Sequence, residues 1–139
     1  MDKQHFAIDR KHPRIETEIP CRVGRPDADF CDAVILNLSA GGLMLACNRE
    51  TYSSIIPPEQ STPGQVSDVS VLVKFSLSPA GRRAMNMQLT AMVIHSERLA
   101  QDRFHIGIQF AGISKANMNR LENHIDQVNA VSNDSSINT

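Results

Sequence analysis

Apolar and polar residues alternate with a period of two through most of the chain from about residue 17 to residue 110. This period is typical of β-strands that bury one face. The pattern predicts six strands, at residues 19–23, 33–39, 43–47, 69–77, 87–94 and 104–110. Because the connections between them are mostly short, the fold is predicted to be mainly β, a six-stranded antiparallel β-barrel whose closure removes exposed sheet edges.

The second predicted strand carries polar residues at its end. Alternation predicts that Leu36 and Leu38 face the core, while Asn37 and Ser39 lie side by side on the opposite face. Residues 40–42 read Ala-Gly-Gly, which predicts a tight turn where glycine supplies positive φ. The third strand then returns as the second arm of a hairpin.

The period changes to that of a helix after Gly112. Ser114 is a suitable N-cap. Apolar residues then recur at spacings of three and four, which predicts a C-terminal α-helix with one buried face; they are Met118, Leu121, Ile125 and Val128.

The remaining segments lack these periods. Residues 1–16 are polar and basic and are predicted to form a flexible N-terminal arm, which leaves residues 17–131 for the barrel and its helix. Residues 132–139 are predicted to be a disordered tail. Residues 48–65, with three prolines and a glycine, are predicted to form a long loop.

Length and composition limit the class of protein. The 139 residues are enough for about one domain, and the formal net charge of −1 disfavours DNA or RNA as a partner, because nucleic-acid affinity comes largely from phosphate neutralisation. The N-terminus has no apolar signal-peptide region and the chain has no 18-residue apolar run. We therefore expect a cytoplasmic protein that does not insert into membranes. The three cysteines are expected to be free thiols.

Catalytic and metal-site patterns are weak. Asn37 stands where a nucleophile elbow around Ser39 would require glycine, and no acid or base is placed to activate this serine. The five histidines lack ligand spacing. The sequence therefore predicts a protein that is not an enzyme and that holds no metal or cofactor.

Two short motifs indicate a ligand instead. Arg10 and Arg14 form an R-x-x-x-R, and Asn37, Ser39 and Gly42 form an N-x-S-x-x-G. The intervening Pro13 disfavours a helix, so the two arginines are expected to be held by a turn. Two guanidinium groups with small polar side chains and an accessible backbone suit a compact, anionic, purine-bearing molecule.

The two motifs, in this order and around this strand pattern, resemble the PilZ domain family, which binds the bacterial second messenger cyclic di-GMP. Residues 107–110, Gly-Ile-Gln-Phe, are also similar to the closing strand of that family. The resemblance implies that Arg10 and Arg14 hold guanine edges and phosphates. It also implies that Asn37 and Ser39 bond a guanine and that Gly42 lets the backbone approach the ligand.

The resemblance implies two further features. The chain has no tryptophan to pack on a guanine, and His95, on the fifth predicted strand, is the candidate for that place. No output domain is apparent, so the signal is expected to pass to an unidentified effector protein when the N-terminal arm becomes ordered on the ligand. The alternative is a PilZ-like protein-interaction scaffold that does not bind the nucleotide.

Overall fold

The structure is a computed structural model that describes residues 14–60, 62, 64–78 and 83–138, with side chains through residue 130. Seven strands, β1 to β7, span Ile15–Gly24, Cys31–Leu38, Gly42–Cys47, Gly64–Gln65, Ser70–Leu77, Met85–Ala100 and Arg103–Phe110. Two α-helices, α1 and α2, span Arg49–Ile55 and Lys115–Asn138, and a 3-10 turn spans Pro58–Gln60.

Six of these strands close into a barrel. They pair antiparallel in the order β1, β2, β3, β7, β6, β5, and β5 pairs again with β1. The short β4 adds to β6 outside this ring. Closure is possible because β6 is 16 residues long and pairs with β5 through its first half and with β7 through its second. The predicted six-stranded antiparallel barrel with a C-terminal helix is confirmed.

The predicted faces of β2 are wrong from Ala33 to Leu36, and Ser39, predicted to lie beside Asn37 on the outer face, is buried. Ala33 and Ile35 are buried, whereas Val34 is 36% exposed and Leu36 is partly exposed. A bulge between Ile35 and Asn37 adds one residue against β3 and reverses the alternation, so that Leu38 is buried again. Leu36 therefore lies on the outer surface and not in the core.

Residues 48–65 are not a single long loop, because they contain α1, the 3-10 turn and β4. Asn48 caps α1, and its side chain accepts a hydrogen bond from the Thr51 backbone N–H at 2.9 Å. The Tyr52 ring stacks on the Phe104 ring, with 4.1 Å between their centroids. A seven-residue helix is too short to be stable alone, so this packing against the barrel stabilises it.

The C-terminal helix docks on the barrel through three of the four predicted apolar residues, Leu121, Ile125 and Val128. The Ser114 hydroxyl accepts a hydrogen bond from the Asn117 N–H at 3.1 Å, and Leu121 and Ile125 are buried. The boundary predicted at residue 131 lies inside α2, whose backbone is helical to Asn138. Each residue added to a helix that has already formed gains one backbone hydrogen bond, so α2 can continue beyond the residues that pack on the barrel.

Neither described helix has the length and apolar character needed to cross a lipid bilayer. The turn between β6 and β7 is tight, because β6 continues through Ala100 and β7 begins at Arg103. Cross-strand pairing of Arg98 with Phe104 extends the hairpin toward this turn.

Candidate functional site

The loop between β2 and β3 is held by the side chain of Ser39. Its hydroxyl oxygen accepts hydrogen bonds from the N–H groups of Gly41 at 3.1 Å and Gly42 at 3.2 Å. The hydroxyl lies 3.3 Å from the Gly42 carbonyl oxygen, to which it donates, and the Ser39 N–H donates to the same oxygen at 2.9 Å. Ser39 is only 6% exposed, so its hydroxyl shapes the turn from within.

Gly42 is required by packing and not by a left-handed turn. A Cβ at this position would lie 2.2 Å from the Ile108 carbonyl oxygen and 3.2 Å from the Gln109 Cα, both on β7. Among the described glycines, positive φ occurs at Gly64 and Gly112 and not in this loop. The expectation that the Gly-Gly pair uses positive φ is therefore wrong, and the close approach of β3 to β7 selects glycine at position 42.

Asn37 lies on the outside of the barrel at the start of this loop. It pairs with Met44 of β3 on one side and with Glu16 of β1 on the other, and its side chain is partly exposed. The bulge at Leu36 sets its direction. Asn37 therefore presents an amide, with both donor and acceptor atoms, beside the turn that Ser39 shapes.

Arg14 reaches the same place from the other side. Ile15 pairs with Leu38, so Arg14 lies next to the end of β2, where the chain enters the β2–β3 loop. Ile15 is buried and Arg14 is exposed, so the guanidinium lies on the outer surface. Antiparallel pairing thus joins the end of the R-x-x-x-R motif to the N-x-S-x-x-G loop. Arg10, the other predicted arginine of that motif, lies outside the described residues.

His95 lies on the same outer surface but farther away. Asn37 pairs with Met44, Met44 with Gly107, and Gly107 with His95, so these residues form one row across four strands. Three strand spacings, half the circumference of the six-stranded barrel, separate Asn37 from His95. His95 is exposed. The structure therefore brings Arg14, Asn37, Ser39 and Gly42 together and leaves His95 at the opposite end of the row.

Sequence reasoning missed the residues on the β1 side of this surface. Glu16, Thr17, Glu18 and Leu36 line an open depression of about 540 Å³ next to Asn37. Residues 17 and 18 of β1 face a single residue of β2, because the register shifts between Glu16 and Ile19. The alternating pattern contained no signal for this bulge, since only the pairing of two strands reveals it.

The thiols of Cys21 and Cys47 lie elsewhere and are poor nucleophiles. Burial raises the pKa of Cys21 to about 12 and that of Cys47 to about 12. Cys31 donates weakly to the Ser54 hydroxyl at 3.5 Å, and all three cysteines are free, as predicted. Within the part of the chain that the structure describes, no group of three histidine, cysteine or acidic residues could hold a metal ion.

Comparison with protein families gives one match. The model of the PilZ domain matches residues 8–127, which include both motifs, the barrel and most of α2. No curated protein sequence matches the chain.

Solved structures with similar folds are distant in sequence. The E. coli YcgR PilZ domain with c-di-GMP has a TM-score of 0.63 at 13% identity, covering 94% of this chain and 98% of that domain. Bacillus subtilis MotI/DgrA, an inhibitor of motility, has a TM-score of 0.66 at 13% identity, covering 87% of this chain and 51% of that one.

The K. pneumonia MrkH–c-di-GMP complex has a TM-score of 0.59 at 15% identity, covering 91% of this chain and 55% of that one. This chain thus spans about half the length of the MotI/DgrA and MrkH structures. At these identities, the similarity establishes the fold.

Proposed function

The chain belongs to the PilZ domain family, and on that premise we propose that it is a non-catalytic receptor that binds cyclic di-GMP beside the β2–β3 loop. One observation carries the proposal: the pairing of Ile15 with Leu38 brings Arg14 next to the end of β2, which carries Asn37 and leads into the loop at Ser39. Two motifs separated by more than 20 residues thus meet on one outer surface. The similar YcgR and MrkH structures contain c-di-GMP.

The chemistry of the residues fits this ligand. Guanine presents O6 and N7 as paired acceptors, which a guanidinium meets with two parallel hydrogen bonds. Arg10 and Arg14 together balance the two phosphate charges. Asn37 addresses a guanine edge with its amide. A micromolar dissociation constant corresponds to about −8 kcal/mol, which a few charge-assisted hydrogen bonds can supply after the cost of ordering is subtracted.

Ser39 and Gly42 act in this proposal mainly by shaping the loop. The Ser39 hydroxyl already serves two backbone N–H groups, so we assign it the role of holding Asn37 and the loop backbone in position. Gly42 lets β3 approach β7 closely, which fixes the position of the β2–β3 loop relative to β7. His95 lies three strands from Asn37 around the six-stranded barrel, so its role as the group that packs on a guanine stays a prediction.

The signal passes to an unidentified effector protein in this proposal. The segment that ends at Arg14 becomes ordered when Arg10 and Arg14 bind the nucleotide, and the surface so formed is read by the partner. Amide resonances of residues 1–13 would move away from random-coil positions in saturating ligand. Resonances that stay at random-coil positions would contradict this switch.

A protein-interaction scaffold that ignores the nucleotide is the second candidate. The hydrogen bonds of Ser39 and the close packing at Gly42 favour the scaffold, because the fold requires both residues even without a ligand. Calorimetric titration with cyclic di-GMP, with GMP and cyclic di-AMP as controls, separates the two. Selective binding supports the receptor, and the absence of heat at high ligand concentration supports the scaffold.

Replacing Arg14 tests the observation that carries the proposal. Arg14→Ala removes a charge-assisted contact and is expected to weaken cyclic di-GMP binding by about 1.5–3 kcal/mol, with little change in stability because the side chain is exposed. Arg103→Ala is a matched control, since this exposed arginine begins β7 at the other end of the barrel. Equal affinities for both variants would exclude Arg14 as a ligand residue.

A further inference from the structure

Two oppositely charged residues stand side by side on the outer surface of β1. Arg14 and Glu16 are both exposed and flank the buried Ile15, so both side chains leave the same face of the strand. Two residues of a strand span about 6.6 Å. Glu16 also pairs directly with Asn37 of β2. An arginine, a glutamate and an asparagine are therefore neighbours at the proposed nucleotide site.

The surface next to Glu16 is recessed. The bulge of β1 sets Thr17 and Glu18 opposite Leu36, and these residues with Glu16 line the open depression of about 540 Å³. The partly exposed Leu36 gives this depression an apolar wall. Flat aromatic bases bind to surfaces of this kind, where an apolar wall covers a ring face and polar groups meet the ring edges.

Guanine has two edges of opposite character. Its O6 and N7 are acceptors, whereas N1–H and the 2-amino group are donors. A carboxylate accepts two parallel hydrogen bonds from such a pair of donors, and bonds to a charged acceptor are stronger than neutral ones. An arginine next to a carboxylate thus matches the two edges of one guanine.

We propose that Glu16 is the residue that determines specificity for guanine: its carboxylate accepts from N1–H and the 2-amino group of a base in the depression, while Arg14 donates to O6 and N7. This inference rests on the proposed function. Adenine places a donor at its 6-position and an acceptor at N1, so it meets the arginine and the glutamate with the wrong groups. The amide of Asn37 cannot replace the negative charge of Glu16.

A purely electrostatic role for Glu16 would give the opposite result, tighter binding when its charge is removed. Glu16 and Glu18 are both acidic, and each repels the phosphates of a dianionic ligand. If Glu16 acted only through its charge, its neutralisation would tighten binding, and neutralising Glu18 would do the same. Only a hydrogen bond to the base makes the two glutamates differ.

The experiment is a calorimetric titration of the full chain and of two variants with cyclic di-GMP and with cyclic di-IMP, which lacks the 2-amino groups. Glu16→Gln keeps the size of the side chain but presents an amide N–H₂ to a donor edge. We expect it to weaken cyclic di-GMP binding about tenfold or more. The preference of the wild-type protein for cyclic di-GMP over cyclic di-IMP is expected to shrink in E16Q.

Glu18→Gln is the matched control, since it removes the same charge from the same depression, and we expect its affinity to stay within about twofold of the wild type. Wild-type binding with an E16Q affinity that is unchanged, tighter, or equal to that of E18Q would overturn the role of Glu16 and leave the receptor proposal standing. A wild-type protein that binds no cyclic di-GMP would overturn both.

Discussion

Gly42 and Ser39 belong to a motif associated with ligand binding, yet each has an immediate structural role. Ser39 satisfies two loop N–H groups, and Gly42 leaves room for the backbone of β7. At the residue scale, therefore, the motif contains supporting residues as well as candidate ligand residues. Asn37 and Arg14, which are exposed or partly exposed, are the candidates for direct contact.

The packing role of Gly42 predicts a contrast with another glycine of the same surface. In Gly42→Ala the new Cβ would meet the Ile108 carbonyl oxygen at 2.2 Å, so the strands must move apart. In Gly107→Ala the nearest atom is the His95 Cβ at 3.7 Å, an ordinary contact. We expect Gly42→Ala to lower the free energy of unfolding by about 1–3 kcal/mol more than Gly107→Ala.

Urea unfolding of both variants measures this difference. Equal stabilities would show that β3 and β7 adjust without cost and that the structural role assigned to Gly42 is wrong.

At the scale of elements, one bulge in β2 changes which of its residues face the core. Before the bulge the buried residues are Ala33 and Ile35, and after the extra residue Leu36 the next buried residue of the strand is Leu38. The same bulge turns Asn37 toward the outer surface next to Glu16. The candidate site thus depends on an irregularity of the strand and not on its regular part.

Adjacent alanine variants of β2 test this arrangement. Ile35 is fully buried, so Ile35→Ala is expected to lower the free energy of unfolding by about 2–5 kcal/mol through the cavity that it leaves. Leu36 is partly exposed, so Leu36→Ala is expected to cost about 1 kcal/mol or less. Chemical denaturation measures both losses. A larger loss for Leu36→Ala than for Ile35→Ala would show that Leu36 is the buried residue and would contradict the bulge.

At the scale of the whole molecule, the closed barrel shields thiols on two different strands from solvent, fully at Cys21 and partly at Cys47. Cys21 lies on β1 and Cys47 ends β3; after burial, the next cause of the raised pKa is Cys47 for Cys21 and Cys31 for Cys47. In both, burial is the largest cause of a pKa near 12, compared with 9.0 for an unperturbed thiol. The folded state therefore keeps two protons that the unfolded chain releases in mild alkali.

This difference predicts that stability falls as the pH rises. Above pH 9.0 the unfolded chain binds fewer protons than the folded one, so the free energy of unfolding decreases until the folded pKa near 12 is reached. Each thiol contributes a loss of up to about 1.4 kcal/mol per pH unit in this window.

Chemical denaturation from about pH 8 to about pH 10.5 measures the slope. The variant Cys21→Ala/Cys47→Ala is expected to have a shallower slope than the wild type, while Cys31→Ala, which leaves both of these thiols in place and removes only a secondary cause of the raised pKa of Cys47, is expected to keep most of the slope. Parallel slopes for the double variant and the wild type would contradict the burial of these thiols.

The sequence by itself determined the fold class, the antiparallel barrel and the docked C-terminal helix. It could do so because burial imposes a period of two on strands and of three to four on helices, and both periods are visible residue by residue. It also supplied the two motifs, and the family resemblance drawn from them is confirmed by the match over residues 8–127.

The tertiary structure decided what depends on pairing between distant segments. The helix α1 forms because Tyr52 packs on Phe104. The helix propensity of a seven-residue segment does not reveal a contact with a distant strand. The bulge at Leu36 and the neighbours of Glu16 follow from the register of β1 against β2. Register is a property of two strands together, so a pattern along one strand predicts which residues can be buried but not which residues meet.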